Sequence, residues 1–111
     1  MTKKPSAQQS NVLAEPELRA TLKAALDQAE WPWIAQHLKR DAVILVAPSL
    51  ELLEAGVCIA GDNAGQVQAW IAESKLSKPT AEQVAAWSAD PAKRFHTLVV
   101  APYVLMQEFF H

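Results

Sequence analysis

Ala42-Val43-Ile44-Leu45-Val46-Ala47 is closed by Pro48, and Thr97-Leu98-Val99-Val100-Ala101 is closed by Pro102. These two stretches decide the fold. Each is short, rich in β-branched side chains, and apolar at successive rather than alternate positions. A strand covered on both faces reads this way, as in α/β sheets. Proline ends each run because it cannot donate to a ladder. Residues 48–96 are long enough for the crossover that a parallel pair requires, and that crossover would be right-handed. A local two-fold would instead pair the strands antiparallel, and the sequence leaves both arrangements open.

Helical spacing fills the chain around them. Pro16 suits a first helical turn, and Leu18, Leu22, Ala25, Leu26 and Ala29 follow on one face. Trp31-Pro32 interrupts that helix, because a residue before proline avoids the helical region. Pro32 opens a second short helix carrying Trp33, Ile34, His37 and Leu38. Ser49 is the expected N-cap of a third helix over residues 50–60, which Gly61-Asp62-Asn63 breaks. A fourth helix carries Val67, Trp70 and Ile71 on one face, the tryptophan expected in the core. Leu76-Ser77-Lys78 reads as an edge strand ended by Pro79. Thr80-Ala81-Glu82-Gln83 is a capping box for a fifth helix bearing Val84 and Trp87. Residues 103–110 suit either helix or strand. The expectation is one α/β domain over residues 14–111, preceded by a disordered polar tail at 1–13. Its small sheet has two buried central strands, 42–47 and 97–101, and a short edge strand, 76–78, under about five helices.

The chain of 111 residues suits one domain. With 10 basic and 12 acidic residues and a net charge of −2, it lacks the basic surface that nucleic acid requires. Cys58 is the single cysteine, so neither an intramolecular disulfide nor a cysteine zinc site is expected, which fits a reducing compartment. Lys3 and Lys4 precede no apolar stretch, and every apolar run is far shorter than a membrane span. The expected protein is therefore cytoplasmic, with no membrane and no nucleic acid among its partners. No glycine-rich phosphate loop, nucleophile elbow or paired-histidine motif is present, so no cofactor and no metal are expected.

A pattern recurs at a constant offset of 54 residues. Trp33, Lys39-Arg40, Val46-Ala47-Pro48 and Glu54 match Trp87, Lys93-Arg94, Val100-Ala101-Pro102 and Glu108. It reads either as a repeated unit of short helix, basic turn, buried strand and second helix, or as the ordinary likeness of two buried strands. A true repeat could bring the two Lys-Arg pairs together.

Val46 to Leu52, Gly61-Asp62-Asn63, Gln68-Ala69-Trp70 and above all Val99-Val100-Ala101-Pro102-Tyr103-Val104-Leu105-Met106-Gln107-Glu108 resemble the small bacterial domain-of-unknown-function family 2288. The resemblance covers about residues 15–108 and implies a small bacterial cytoplasmic domain. It carries no activity, cofactor or catalytic residue onto this chain.

Open α/β sheets place chemistry at the carboxyl ends of their strands. Ser49, Glu54, Tyr103 and Glu108 are the candidates for a polar ligand pocket there. The plainer account has Ser49 capping a helix and Glu51 favouring its positive end. Cys58, flanked by Val57 and Ile59, is expected to be an inert thiol. His37 and His96 serve packing unless a carboxylate joins them. Trp31 and Trp33 flank a proline and cannot easily share a face, so one can anchor a partner. Phe109 and Phe110 near the end are further interaction candidates. The leading functional expectation is a non-enzymatic binding or interaction module, self-associating as a homodimer and open to a protein partner. The alternative is a small enzyme or small-ligand binder using the polar pocket.

Overall fold

Beyond the two prolines the chain behaves differently in each half, and this sets the topology. After Pro48 it turns into a helix, whereas after Pro102 it reverses into another strand. The computed structural model describes residues 15–109; the expected N-terminal tail and Phe110 lie outside the described residues. In order, the elements are α1 (Glu15–Ala25), β1 (Asp27–Glu30), α2 (Trp31–Ala35), a 3-10 turn (Leu38–Arg40), β2 (Val43–Val46), α3 (Leu52–Ala60), α4 (Ala64–Ala72), β3 (Leu76–Ser77), α5 (Ala81–Ser88), β4 (Arg94–Val100) and β5 (Tyr103–Glu108).

The fold is α/β, with one five-stranded sheet in the order β1-β4-β5-β2-β3. The two apolar stretches share this sheet but are not neighbours, because β5 lies between them. It pairs antiparallel with β4, Val99 opposite Val104, and parallel with β2, Ile44 opposite Leu105. The expected central pair is thus a central trio. Val104-Leu105-Met106 are apolar in succession because they are covered on both faces, so no alternation marks them as a strand.

Two boundaries differ from expectation. Helix α1 ends at Ala25, and Asp27-Gln28-Ala29-Glu30 becomes the edge strand β1 against β4. Its composition disfavours a strand, but pairing outweighs weak intrinsic preference at an edge. The charged side chains also blunt that edge against further pairing. Helix α3 starts at Leu52 with Glu51 in the N-cap position and no side-chain cap, so Ser49 does not cap it. The capping box at Thr80 and Gln83 forms as expected.

Helices cover both faces of the sheet. On one, Leu22, Leu52, Ala55 and Val57 pack over Val46, Leu98, Val100 and Leu105. On the other, Trp31, Ile34 and Trp87 close over Val43, Phe95 and Met106. Trp70 is half-buried and packs against the edge of the first cluster.

Candidate functional site

The four polar candidates do not converge. Ser49 is exposed in the turn after β2 and makes no side-chain hydrogen bond among the described residues. Glu54 points along α3 to α1, where Arg19 holds it in an ion pair. The Arg19 guanidinium keeps the Glu54 carboxyl below the usual carboxylate range, which is the mark of an ion pair rather than of a general acid. Tyr103 begins β5, while Ser49 follows the end of β2, and the two strands run parallel; these residues therefore sit at opposite ends of the sheet. Glu108 ends β5 and lies 3.6 Å from Lys93. It does border a cleft of about 250 Å³ with Ala47, Pro48, Ser77 and Gln83 at the carboxyl end of β2. Two of the polar side chains there are already engaged, Gln83 in its capping box and Glu108 with Lys93.

A larger space opens at the other end of the sheet. It encloses about 460 Å³ between α4, the last turn of α3 and the sheet margin. Ile44 of β2 and Leu76 of β3 form its floor, and Ile59, Val67 and Ile71 form its walls. The local sequence explains the opening. Gly61-Asp62-Asn63 ends α3 with Asp62 in the left-handed region (φ 58°), and the Asn63 side chain accepts from the Gln66 N–H to start α4. Helix α4 then returns along the margin rather than over the sheet centre, so none of its residues is fully buried. Val67 and Trp70 lean on the core, but Ile71 turns into the groove and stays 52 % exposed. Tyr103, 39 % exposed, stands at the margin with Lys78, whose ammonium pairs with Asp41. Cys58 also lines the groove, and burial pushes its thiol above the usual value, with the negative charge of Glu54 adding to the effect. It is a protonated thiol near neutral pH.

The two tryptophans separate as their spacing required. Trp31 is core: its ring packs 5.0 Å from Trp87 and 6.0 Å from Phe95, and its Nε1 donates to Ser88 Oγ at 3.1 Å. It is therefore not available as an interaction anchor. Trp33 is 41 % exposed and meets the His37 ring edge-on at 5.0 Å. Arg40 Nη2 donates to His37 Nδ1 at 2.6 Å, and His37 Nε2 is buried with no hydrogen-bond partner among the described residues. Phe109 is half-buried, its ring tilted against the His96 ring at 4.1 Å, so it holds the end of β5 rather than standing free. Phe110 lies outside the described residues. The Lys-Arg pairs do not meet: Arg40 donates to the Pro102 carbonyl at one end of the sheet, and Lys93 and Arg94 pair with Glu108 and Glu30 at the other. Among the described residues, no group of three or more histidine, cysteine or acidic side chains is placed to hold a metal ion.

The profile of the uncharacterised family DUF2288 matches residues 17–108, nearly all of the described chain. This protein belongs to domain-of-unknown-function family 2288. The NMR solution structure of PA1075 from Pseudomonas aeruginosa is similar to this DUF2288 chain, with 27 % identity, 92 % of each chain covered and a TM-score of 0.72. No curated protein matches it. In this DUF2288 chain the stretch Val99 to Glu108 forms the end of β4, the turn and β5, so the most distinctive part of the sequence builds the sheet centre. The groove residues Ile44, Ile59, Val67, Ile71 and Leu76 escaped the sequence reading. Ile71 was the available signal, a large aliphatic side chain near the end of a short helix that follows the Gly61-Asp62-Asn63 break.

Proposed function

We propose that this DUF2288 protein is a binding module, acting without covalent chemistry, whose groove takes up the apolar part of a small molecule. One observation carries the reading: an opening of about 460 Å³ whose surface is mainly apolar, with polar side chains such as Asp62, Asn63 and Lys78 also in its lining. Ligand clefts commonly enclose roughly 300–1,000 Å³ with that balance of surfaces. The reading extends to a cytoplasmic protein that engages neither nucleic acid nor membrane. The unpaired Cys58 and the net charge of −2 support this, as does the lack of any described helix long and apolar enough to cross a membrane.

The test is a titration of the full chain with n-octanol, followed by methyl and amide chemical shifts. Saturable shifts confined to Ile44, Val67, Ile71 and Leu76, lost in Ile71→Glu, are expected. Shifts scattered over the surface would remove the groove from consideration.

Homodimerisation is the second reading. Ile71 and Tyr103 are exposed beside the groove, and Trp33 and Val99 are exposed elsewhere, Val99 at 50 %. Ile71 and Tyr103, which share the groove lining, are the apolar groups that a second copy would cover. Sedimentation over a wide concentration range checks it: a mass that rises to twice the monomer supports a dimer, and a constant monomer mass refutes it.

A further inference from the structure

Resting on that reading of the groove, we infer that its ligand is an aliphatic ammonium compound, with the chain in the groove and the cationic head beside Asp62 and Tyr103. Three observations carry this. The apolar lining is aliphatic, from Ile44, Ile59, Val67, Ile71 and Leu76, so it matches a flexible hydrocarbon better than a flat ring. Of the two charged residues in the lining, Lys78 is neutralised by Asp41, whereas Asp62 has no ion partner among the described residues. The local charge of Asp41, Asp62 and Lys78 together is thus negative, and a cationic head complements it. Tyr103 is the single aromatic side chain in the described lining, and it is partly exposed. An ammonium against a tyrosine face gains cation–π attraction, and quaternary ammonium groups are recognised this way.

The backbone at Asp62 makes the test clean. Its φ of 58° lies in the left-handed region, where asparagine is tolerated as well as aspartate. Asp62→Asn therefore removes the charge and keeps the turn. The full chain is titrated calorimetrically with octylammonium, n-octanol and octanoate, three probes sharing one tail. Octylammonium is expected to bind at least about tenfold tighter than octanol, and octanoate more weakly than either. In Asp62→Asn the octylammonium affinity should fall to that of octanol, with octanol binding unchanged. Tyr103→Leu should lower octylammonium affinity several-fold more than octanol affinity. Equal binding of octylammonium and octanol to the native chain overturns the head-group assignment and leaves the groove reading standing. Tighter binding of octanoate overturns it in favour of Lys78 as the head-group contact. Failure of all three probes to bind removes the groove reading itself.

Discussion

Gly56 of α3 and Leu98 of β4 meet with no room between them for a side chain: a Cβ built on Gly56 would overlap Leu98 Cδ2. Leu98 is fully buried at the sheet centre, so its side chain has nowhere to move. Glycine at this position lets α3 settle close on the sheet, with α4 following at its margin. Gly56→Ala should destabilise the fold by about 1–3 kcal/mol through overpacking, despite alanine's better helix propensity. Gly65→Ala is the control, because nothing lies within 4 Å of a Cβ there. It should be neutral or stabilising by up to about 1 kcal/mol. Urea unfolding of the two variants measures both.

Gln107 ties the carboxyl end of β5 to the loop after β2. Its Nε2 donates to the Ala47 carbonyl at 2.9 Å and to the Leu50 carbonyl at 2.7 Å. Gln107→Leu keeps the bulk and orphans both acceptors, which should cost about 1–3 kcal/mol. Hydrogen exchange should speed up over residues 47–52 while the β4–β5 ladder stays protected. Unchanged exchange in that loop would show that the bonds do not hold it.

The tryptophans on either side of Pro32 should respond in opposite ways. Trp31 is 2 % exposed and hydrogen-bonded to Ser88, so Trp31→Ala should cost about 3–5 kcal/mol. Trp33→Ala should cost about 1 kcal/mol or less, as an exposed position allows. Denaturant midpoints of the two variants decide the order, and equal losses would contradict the separation of roles.

Glu54 gives the fold a pH-dependent contribution of known sign. Arg19 holds its carboxyl below the usual range, so the folded state binds that proton less readily than the unfolded chain does. The contribution is therefore present above the ordinary carboxylate range and is lost as the pH falls through the lowered value. Glu54→Gln should lower stability modestly at neutral pH, the loss being small because both partners are about a third exposed, and its curve should converge with the native one in acid. Thermal unfolding of native and variant protein from neutral to acid pH checks this. Parallel curves would mean the pair carries no linkage.

Much of the architecture follows from side-chain type alone. Val43 to Val46 and Leu98 to Val100 announce strands because short, β-branched apolar runs closed by proline suit a largely covered strand, although Val99 stays half exposed. Thr80 and Gln83 announce a helix start because two side chains can satisfy two backbone N–H groups within one turn. The cysteine count and charge balance were equally plain. The position of β5 was not: Val104 and Leu105 look alike whether they continue a helix or fill the gap between β2 and β4, and only pairing with Val99 and Ile44 resolves it. β1 was hidden for the converse reason, since Asp27 and Glu30 become a strand only because β4 offers an open edge. The residues that recur at an offset of 54 take different structures after the prolines, α3 after one and β5 after the other, so Glu54 and Glu108 end in different surroundings. The sequence by itself determined which segments leave water. The tertiary structure alone decided which of them lie side by side, and with that where the groove opens, because strand order depends on pairings between residues far apart in the chain.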